Sequence, residues 1–460
     1  MRRYPPGPKA HFFGIALSKR FRERTLEFLV EVGRIGGDLG HFAIGPIHFY
    51  LVNHPDLIRE VLVTKAKLFP KLRKTTDVIR QVEGNGIVVT EGDFWLRQRR
   101  LVQPAFAPAR LARYADLMVE YTNRALERWG DGAVVDMAGE MRQLTLAIIA
   151  RTLFDVELTG KAANLDEAGQ VLGEVLPREM SAPIRLPDWL PLPGKARKRW
   201  AIRVFDELIW DVIRQRRASG EDMGDLLSML LKAVDAEGDG TGMTDTQARD
   251  EAMSLFHAGH ETAASGLSWL WYVLVRQPEV ASRVVAEVDA VLNGRTARMA
   301  DLSSLAYTQM VVKETLRLYP PVYILFGREA AAEVELGGYP IPKGAWVHLS
   351  PFVTQRDPRF FPDPEKFDPE RFAPGHVEQI KPHAYFPFGA GPHVCIGNTF
   401  ALVEMTLITA TVLRRFRLEF APDQPADVEP HALLALRPKG GLRLRIASRT
   451  ARLVPAASGQ

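Results

Sequence analysis

The sequence predicts a predominantly α-helical fold with minor β-structure. Two observations predict it: long stretches with helical apolar spacing, and a few short extended runs set around glycine and proline turns; the chain has no internal repeat. The chain has 460 residues, 46% hydrophobic against 25% charged, which suits a globular protein and excludes a disordered one. At about 150 residues per domain, that length alone suggests about three domains.

In chain order, Phe42 to Ile44 and His48 to Val52 flank Gly45-Pro46 and read as a small hairpin, after which Pro55 opens a short helix. From Phe94 to Phe154 the pattern is helical, interrupted at Pro104, Pro108 and Gly130–Gly132. Pro177 to Gly194 is proline-rich yet carries Ile184, Leu186, Trp189, Leu190 and Leu192. Interdomain linkers are usually polar, so this segment reads as a lid loop whose apolar residues cover a surface. Helical spacing returns at Thr244–Val275, Pro278–Leu292, Tyr307–Leu318 and Asn398–Leu413. Gly337-Gly338-Tyr339 and Ile341-Pro342-Lys343-Gly344 read as turns between short strands, and Arg356–Pro374 has little period.

Charge and cysteine content exclude several functions. Lys plus Arg is 59 and Asp plus Glu is 55, a surplus of +4 that argues against nucleic-acid binding. The apolar stretch Ala252 to Val275 contains His257, His260 and Glu261, which are expensive in lipid, so a buried helix is expected rather than a membrane anchor. Prolines follow Arg2-Arg3 at once and no export signal is legible, so a cytoplasmic protein is expected. A single cysteine, Cys395, excludes a disulfide framework and multi-cysteine zinc sites.

Cys395 is either a small core hydrophobe or a thiol with chemistry of its own. It lies in Phe388-Gly-Ala-Gly391-Pro-His393-Val-Cys395-Ile396-Gly397, ahead of the helical pattern from Asn398. A helix N-terminus stabilises a thiolate, and His393 offers a nearby hydrogen-bond donor. The spacing Phe388-x-x-Gly391-x-His393-x-Cys395-x-Gly397 resembles the haem-binding signature of the cytochrome P-450 family, with His393 where arginine is usual.

Further motifs follow in family order. Glu314-x-x-Arg317, with Arg371 of Pro-Glu-Arg-Phe downstream, resembles the family's structural network behind the cysteine loop. Glu31–Arg34 repeats that spacing without its context. Trp95-x-x-x-Arg99 resembles the helix that contacts the haem propionates; Trp210–Arg214 has the same spacing but the wrong position. Arg328 and His393 resemble further propionate contacts. Ala258-Gly259-His260-Glu261-Thr262 resembles the oxygen-activating motif, although Ala263 replaces the usual hydroxyl residue. There a glycine weakens the helical ladder, and a threonine bonding the freed carbonyl is expected to open a local bulge.

The resemblance implies a single triangular domain over residues 21–447 enclosing haem b, with small peripheral β-sheets, an N-terminal extension (1–20) and a C-terminal tail (448–460). It makes Cys395 the iron ligand and adds Phe388, Ile396, Gly397, Ala401, Ala258 and Gly259 to the haem contacts. Thr262 would protonate oxygen and Glu261 would relay protons from solvent. Leu255, Phe256, Ala258, Val322, Ile324, Leu325, Phe326, Leu433 and Leu434 would line the substrate pocket.

The implied activity is a monooxygenase using O2, with a fatty acid or related lipid as substrate and a terpenoid or steroid as the alternative. A haem sensor or electron carrier would need neither an apolar chamber nor a proton relay. Electrons would come from a separate ferredoxin or flavodoxin with its NAD(P)H-dependent reductase, and the protein would be a monomer. Arg97, Arg100, Arg110 and Arg113 are either scattered solvated charge or a face that docks an acidic donor.

Overall fold

Two helices, α1 (Ile15–Glu23) and α2 (Thr25–Gly36), lead into strands β1 (Leu39–Ile44) and β2 (Ile47–Val52) in the computed structural model. The structure describes residues 3–9, 12–182, 186–190, 192–235 and 240–449. Within the first twenty residues, Leu17 is buried in a core cluster with Phe28 and Phe42. The expected hairpin forms, with Ile44 opposite Ile47 across Gly45-Pro46.

A helical half follows: α3 (Pro55–Arg59), α4 (Arg73–Glu83), α5 (Gly92–Val102) and α6 (Pro108–Leu126), then strand β3 (Val134–Asp136). Next come α7 (Met137–Phe154), α8 (Ala162–Ser181), α9 (Pro193–Ser219) and α10 (Leu226–Lys232). Prolines at the first turn of α3, α6 and α9 remove an N–H that would have had no helical partner.

The proline-rich segment is shorter than the sequence suggests. α8 runs through Pro177 to Ser181; the proline removes the N–H that would bond Gly173 O, and that carbonyl accepts from the Leu434 N–H at 3.2 Å instead. Leu186, Trp189 and Leu192 are exposed rather than covering a surface, and Ile184 lies outside the described residues. Ion pairs hold this connection instead: buried Lys198 donates to Glu179 at 2.6 Å and to Asp188 at 3.0 Å.

The central helix α11 (Asp245–Arg276) starts at a reciprocal cap in which Thr244 and Gln247 bond each other's backbone N–H. It packs on α7, and α12 (Pro278–Leu292) and α13 (Ala306–Leu318) follow. The remaining elements are β4 (Arg328–Glu329), β5 (Val334–Leu336), β6 (Tyr339–Ile341), β7 (Trp346–Leu349) and α14 (Pro351–Thr354), then α15 (Asn398–Arg415), β8 (Phe416–Phe420), β9 (Pro430–Ala432), β10 (Leu436–Pro438) and β11 (Arg443–Ser448).

The described strands form four small sheets at the periphery, one of them ordered β1-β2-β7-β4. In it β2 and β7 are parallel, with Phe49 opposite Trp346. The largest apolar core is shared by α6, α7, α11, α13 and α15. No helix among the described residues is long and apolar enough to cross a membrane; α11 instead buries His257, His260 and Glu261 within the protein.

Candidate active site

The cysteine loop is fixed by its own backbone. The Cys395 N–H donates to Phe388 O at 2.9 Å and the Val394 N–H to Gly391 O at 3.1 Å. Gly391 has φ +70°, and a Cβ there would meet Leu62 O at 2.0 Å, so only glycine permits this approach. Burial pushes the Cys395 thiol up, against the Gly397 N–H and the Arg99 charge, which lower it.

All the residues expected to hold the haem line one cavity. Trp95 and Arg99 come from α5, Ala258 and Gly259 from α11, and Ala401 from α15. Arg328 comes from β4, and Phe388, His393, Cys395, Ile396 and Gly397 from the loop. Leu255, Val322, Leu325 and Phe326 line the same cavity. Four expected pocket residues do not. Phe256 is fully buried between Phe154 and Phe205, because it points about 100° round the helix from Leu255. Ile324 packs on the core that joins α2 to the β1-β2 sheet. Leu434 packs on the main core, its N–H bonded to Gly173 O, and Leu433 beside it is also off the cavity.

One corner of the cavity gathers charge. The His393 ring lies 4.0 Å from that of Trp95, and its Nε2 is 3.1 Å from a Glu91 oxygen. Glu91 also accepts from the Lys71 N–H at 2.8 Å and lies 3.6 Å from Arg328. Burial alone would raise Glu91, but the bond to His393 and the Lys71 charge hold its carboxyl at about 2. Burial takes the Lys71 ammonium down to about 8, and its Nζ donates to Thr90 O at 2.9 Å. Arg99 donates to Val394 O at 2.9 Å.

Lys71, Arg99, Arg328 and His393 therefore line a cavity beside the Glu91 carboxylate. Among the described residues, Arg328 Nε and His393 Nδ1 are buried without a hydrogen-bond partner. Buried donors without acceptors call for anionic oxygens, and a thiol wall completes the set. These residues fit haem b, with Cys395 as iron ligand and the cationic corner on its carboxylates.

Lys71 and Glu91 were not anticipated. Glu91 stands one helical turn before Trp95, a spacing that could have flagged it; nothing in the sequence marks Lys71. Glu404 was also missed. It lines the cavity from α15, its Oε2 lacks a hydrogen bond, and burial pushes its carboxyl up to about 8.

On α11, Thr262 donates from Oγ1 to Ala258 O at 2.7 Å, the bond expected from the motif. The expected bulge is absent, and α11 stays α-helical throughout. Gly259 serves close packing instead: a Cβ there would meet Ile149 Cδ1 at 2.7 Å, so the glycine lets α7 approach. Glu261 is paired with Arg437 of β10 through both carboxylate oxygens. The strand is pinned beside α11 because Ser265 Oγ and Trp269 Nε1 both donate to Leu436 O, at 2.5 and 2.6 Å.

Glu314, Arg317 and Arg371 meet as the motif suggests. Arg317 holds Glu314 with two bonds of 2.7 Å, both side chains fully buried, and Arg371 lies 3.4 Å from Glu314. The link to the cysteine loop is Gln355: its carbonyl accepts from Arg317 at 2.8 Å, and its side-chain oxygen accepts from the Phe386 N–H at 3.0 Å.

A predominantly helical fold closed around a cysteine loop, an apolar chamber and a cationic carboxylate-binding corner defines a haem-thiolate protein. The chain belongs to the cytochrome P450 family, whose model, Cytochrome P450, matches residues 5–444. It is 39% identical over 402 residues to cyclooctat-9-en-7-ol 5-monooxygenase of Streptomyces melanosporofaciens, covering 87% of this chain and 86% of that one. Pentalenene oxygenase of Streptomyces avermitilis is 37% identical over 428 residues, 93% of this chain and 94% of the relative. Leukotriene-B4 omega-hydroxylase 3 of Mus musculus is 34% identical over 433 residues, 88% and 81% respectively. The protein is a cytochrome P450 monooxygenase; its cofactor is haem b, and it requires O2 and a redox partner.

Proposed function

We propose that the substrate is a terpenoid, hydroxylated as RH + O2 + two electrons + two protons giving ROH + H2O. The observation that carries this is the pair of Streptomyces relatives named for cyclooctat-9-en-7-ol and pentalenene, both terpenoid compounds. The fatty-acid expectation gives way to its alternative. The chamber agrees: Ile87, Val88, Ile149, Leu153, Leu255 and Val322 present apolar surface, and the nearby cations are grouped around Glu91. A fatty acid would need a cation of its own for its carboxylate.

When bound, haem b supplies dioxygen activation at an iron held by a thiolate. Cys395 would provide that thiolate, and Arg99, Arg328 and His393 would hold the carboxylates of the ring. The Thr262 hydroxyl holds a proton at the cavity wall, anchored on Ala258 O. Glu261, the preceding residue, connects that wall to Arg437. The apolar walls exclude water from the reacting carbon. Electrons come from a ferredoxin or flavodoxin with its NAD(P)H-dependent reductase, docking on the cysteine side.

The test is a spin-state titration of the purified ferric protein with polycyclic terpene hydrocarbons and alcohols, steroids and fatty acids. Low- to high-spin conversion by the terpenes, with hydroxylated product on turnover, is expected. Conversion by fatty acids alone would overturn the assignment.

A further inference from the structure

An open pocket of about 870 Å³ reaches the cysteine loop and is lined in part by Arg99, Arg100, Asp235, Cys395 and Thr399. Arg100 lines this pocket, and with Arg97, Arg110 and Arg113, close to it in sequence, it makes up two kinds of cation. Arg100 donates from Nε and Nη2 to the two Asp235 oxygens, at 3.0 and 2.7 Å. Arg97 Nε lies 3.8 Å from the same carboxylate, and its Nη2 donates to Thr241 Oγ1 at 2.8 Å and Gly242 O at 3.0 Å. The Asp235 side chain is only 3% exposed, so this anion is part of the fold and not a mobile counter-ion.

Arg110 and Arg113 differ. Arg110 donates to Gly224 O at 2.7 Å, and Arg113 to Met223 O at 3.3 Å. Carbonyls satisfy hydrogen bonds without cancelling charge, so Arg113 keeps its long-range field and Arg110 loses part of its own only to Asp222. The carboxylate of Asp222 nearby is itself paired with Lys232 at 3.3 Å.

We propose that Asp235 is a built-in competitor for the acidic surface of the electron donor. It turns Arg97 and Arg100 inward and offsets part of their charge, leaving Arg110 and Arg113 as the groups that steer the donor. This rests on the reading that an acidic donor docks on the cysteine side. Encounter rates follow the summed field at a docking face, so a buried anion there slows association and flattens its salt dependence.

The experiment is stopped-flow reduction of the ferric holoenzyme by a plant-type [2Fe–2S] ferredoxin under carbon monoxide, across ionic strengths. Asp235→Asn is expected to speed association roughly three- to tenfold at low salt, converging on the wild type at high salt. Arg113→Gln should slow it. The double variant Arg100→Gln/Asp235→Asn keeps the shape of the pair without its charges. It should stay close to the wild-type rate, which also guards against misfolding of the single variant. A salt-sensitive wild type with Asp235→Asn unchanged or slower would overturn the competitor role and leave the docking reading standing. So would a double variant several-fold off the wild type. A wild type insensitive to salt would overturn both.

Discussion

Arg437 and Glu261 form a two-point ion pair in which Nε and Nη2 each meet one carboxylate oxygen at 2.5 Å, across 176 residues of sequence. The Glu261 side chain is 6% exposed and that of Arg437 16%, so neither charge has much water to fall back on. Breaking one partner of such a pair leaves an uncompensated buried charge. Arg437→Gln should therefore cost about 3 kcal/mol in chemical denaturation, and Glu261→Gln/Arg437→Gln should recover most of that. A double variant no better than the single would show that the pair acts through packing alone.

Thr262 presents its hydroxyl at the chamber wall, one residue from Glu261 of that pair, and proton delivery is the role proposed for it. Thr262→Ala should waste reductant, lowering the ratio of hydroxylated product to NAD(P)H consumed, while Thr262→Ser keeps the hydroxyl and the ratio. Equal ratios in the alanine variant and the wild type would remove Thr262 from proton delivery.

Glu404 carries a sign that can be checked. In the unfolded chain its carboxyl ionises near 4.5, as an ordinary glutamate does, whereas burial raises it to about 8 in the folded protein. The unfolded state therefore loses its proton first, and stability falls as pH rises from about 4.5 to about 8, by up to about 1.4 kcal/mol per pH unit. Glu251, also raised to about 8 by burial, acts in the same sense. Urea denaturation midpoints across that window should fall less steeply for Glu404→Gln than for the wild type.

Gly259 sets the distance between α7 and α11. Gly259→Val should destabilise by about 1–3 kcal/mol, since the nearest obstacle is the branched Ile149 side chain. Ile149→Ala in the same chain should give part of that back, measured by thermal melting.

What the sequence made legible was local. The Glu314-Arg317 pair, the Trp95-Arg99 pair and the Cys395 loop each lie within a few residues, where helix geometry or glycine chemistry dictates who meets whom. The charged corner was partly visible for the same reason: Trp95 and His393 belong to motifs and Glu91 stands one turn before Trp95, whereas Lys71 reaches it through a tertiary contact. Arg437 was hidden because strand β10 is placed by Ser265 and Trp269, not by its own pattern. The pocket wall failed at single-residue resolution. Leu255 and Phe256 are neighbours of similar hydrophobicity, and only the helix rotation separates chamber from core. At Cys395 the helix terminus was correctly placed, just ahead of Asn398.

The parallel pairing of β2 with β7 has a consequence for synthesis. Strand β2 ends at Val52 and its neighbour ends at Leu349, so the pairing closes a loop of about 300 residues, at an entropic cost of about 5 kcal/mol. During translation β2 emerges early and has only β1 beside it; its other edge stays open until three-quarters of the chain has been made. Phe49, Tyr50, Leu51 and Val52 on that strand are all buried in the finished protein. The nascent chain thus carries an open apolar edge throughout the making of every helix from α3 to α13, which makes this edge the place where a chaperone would have most to protect.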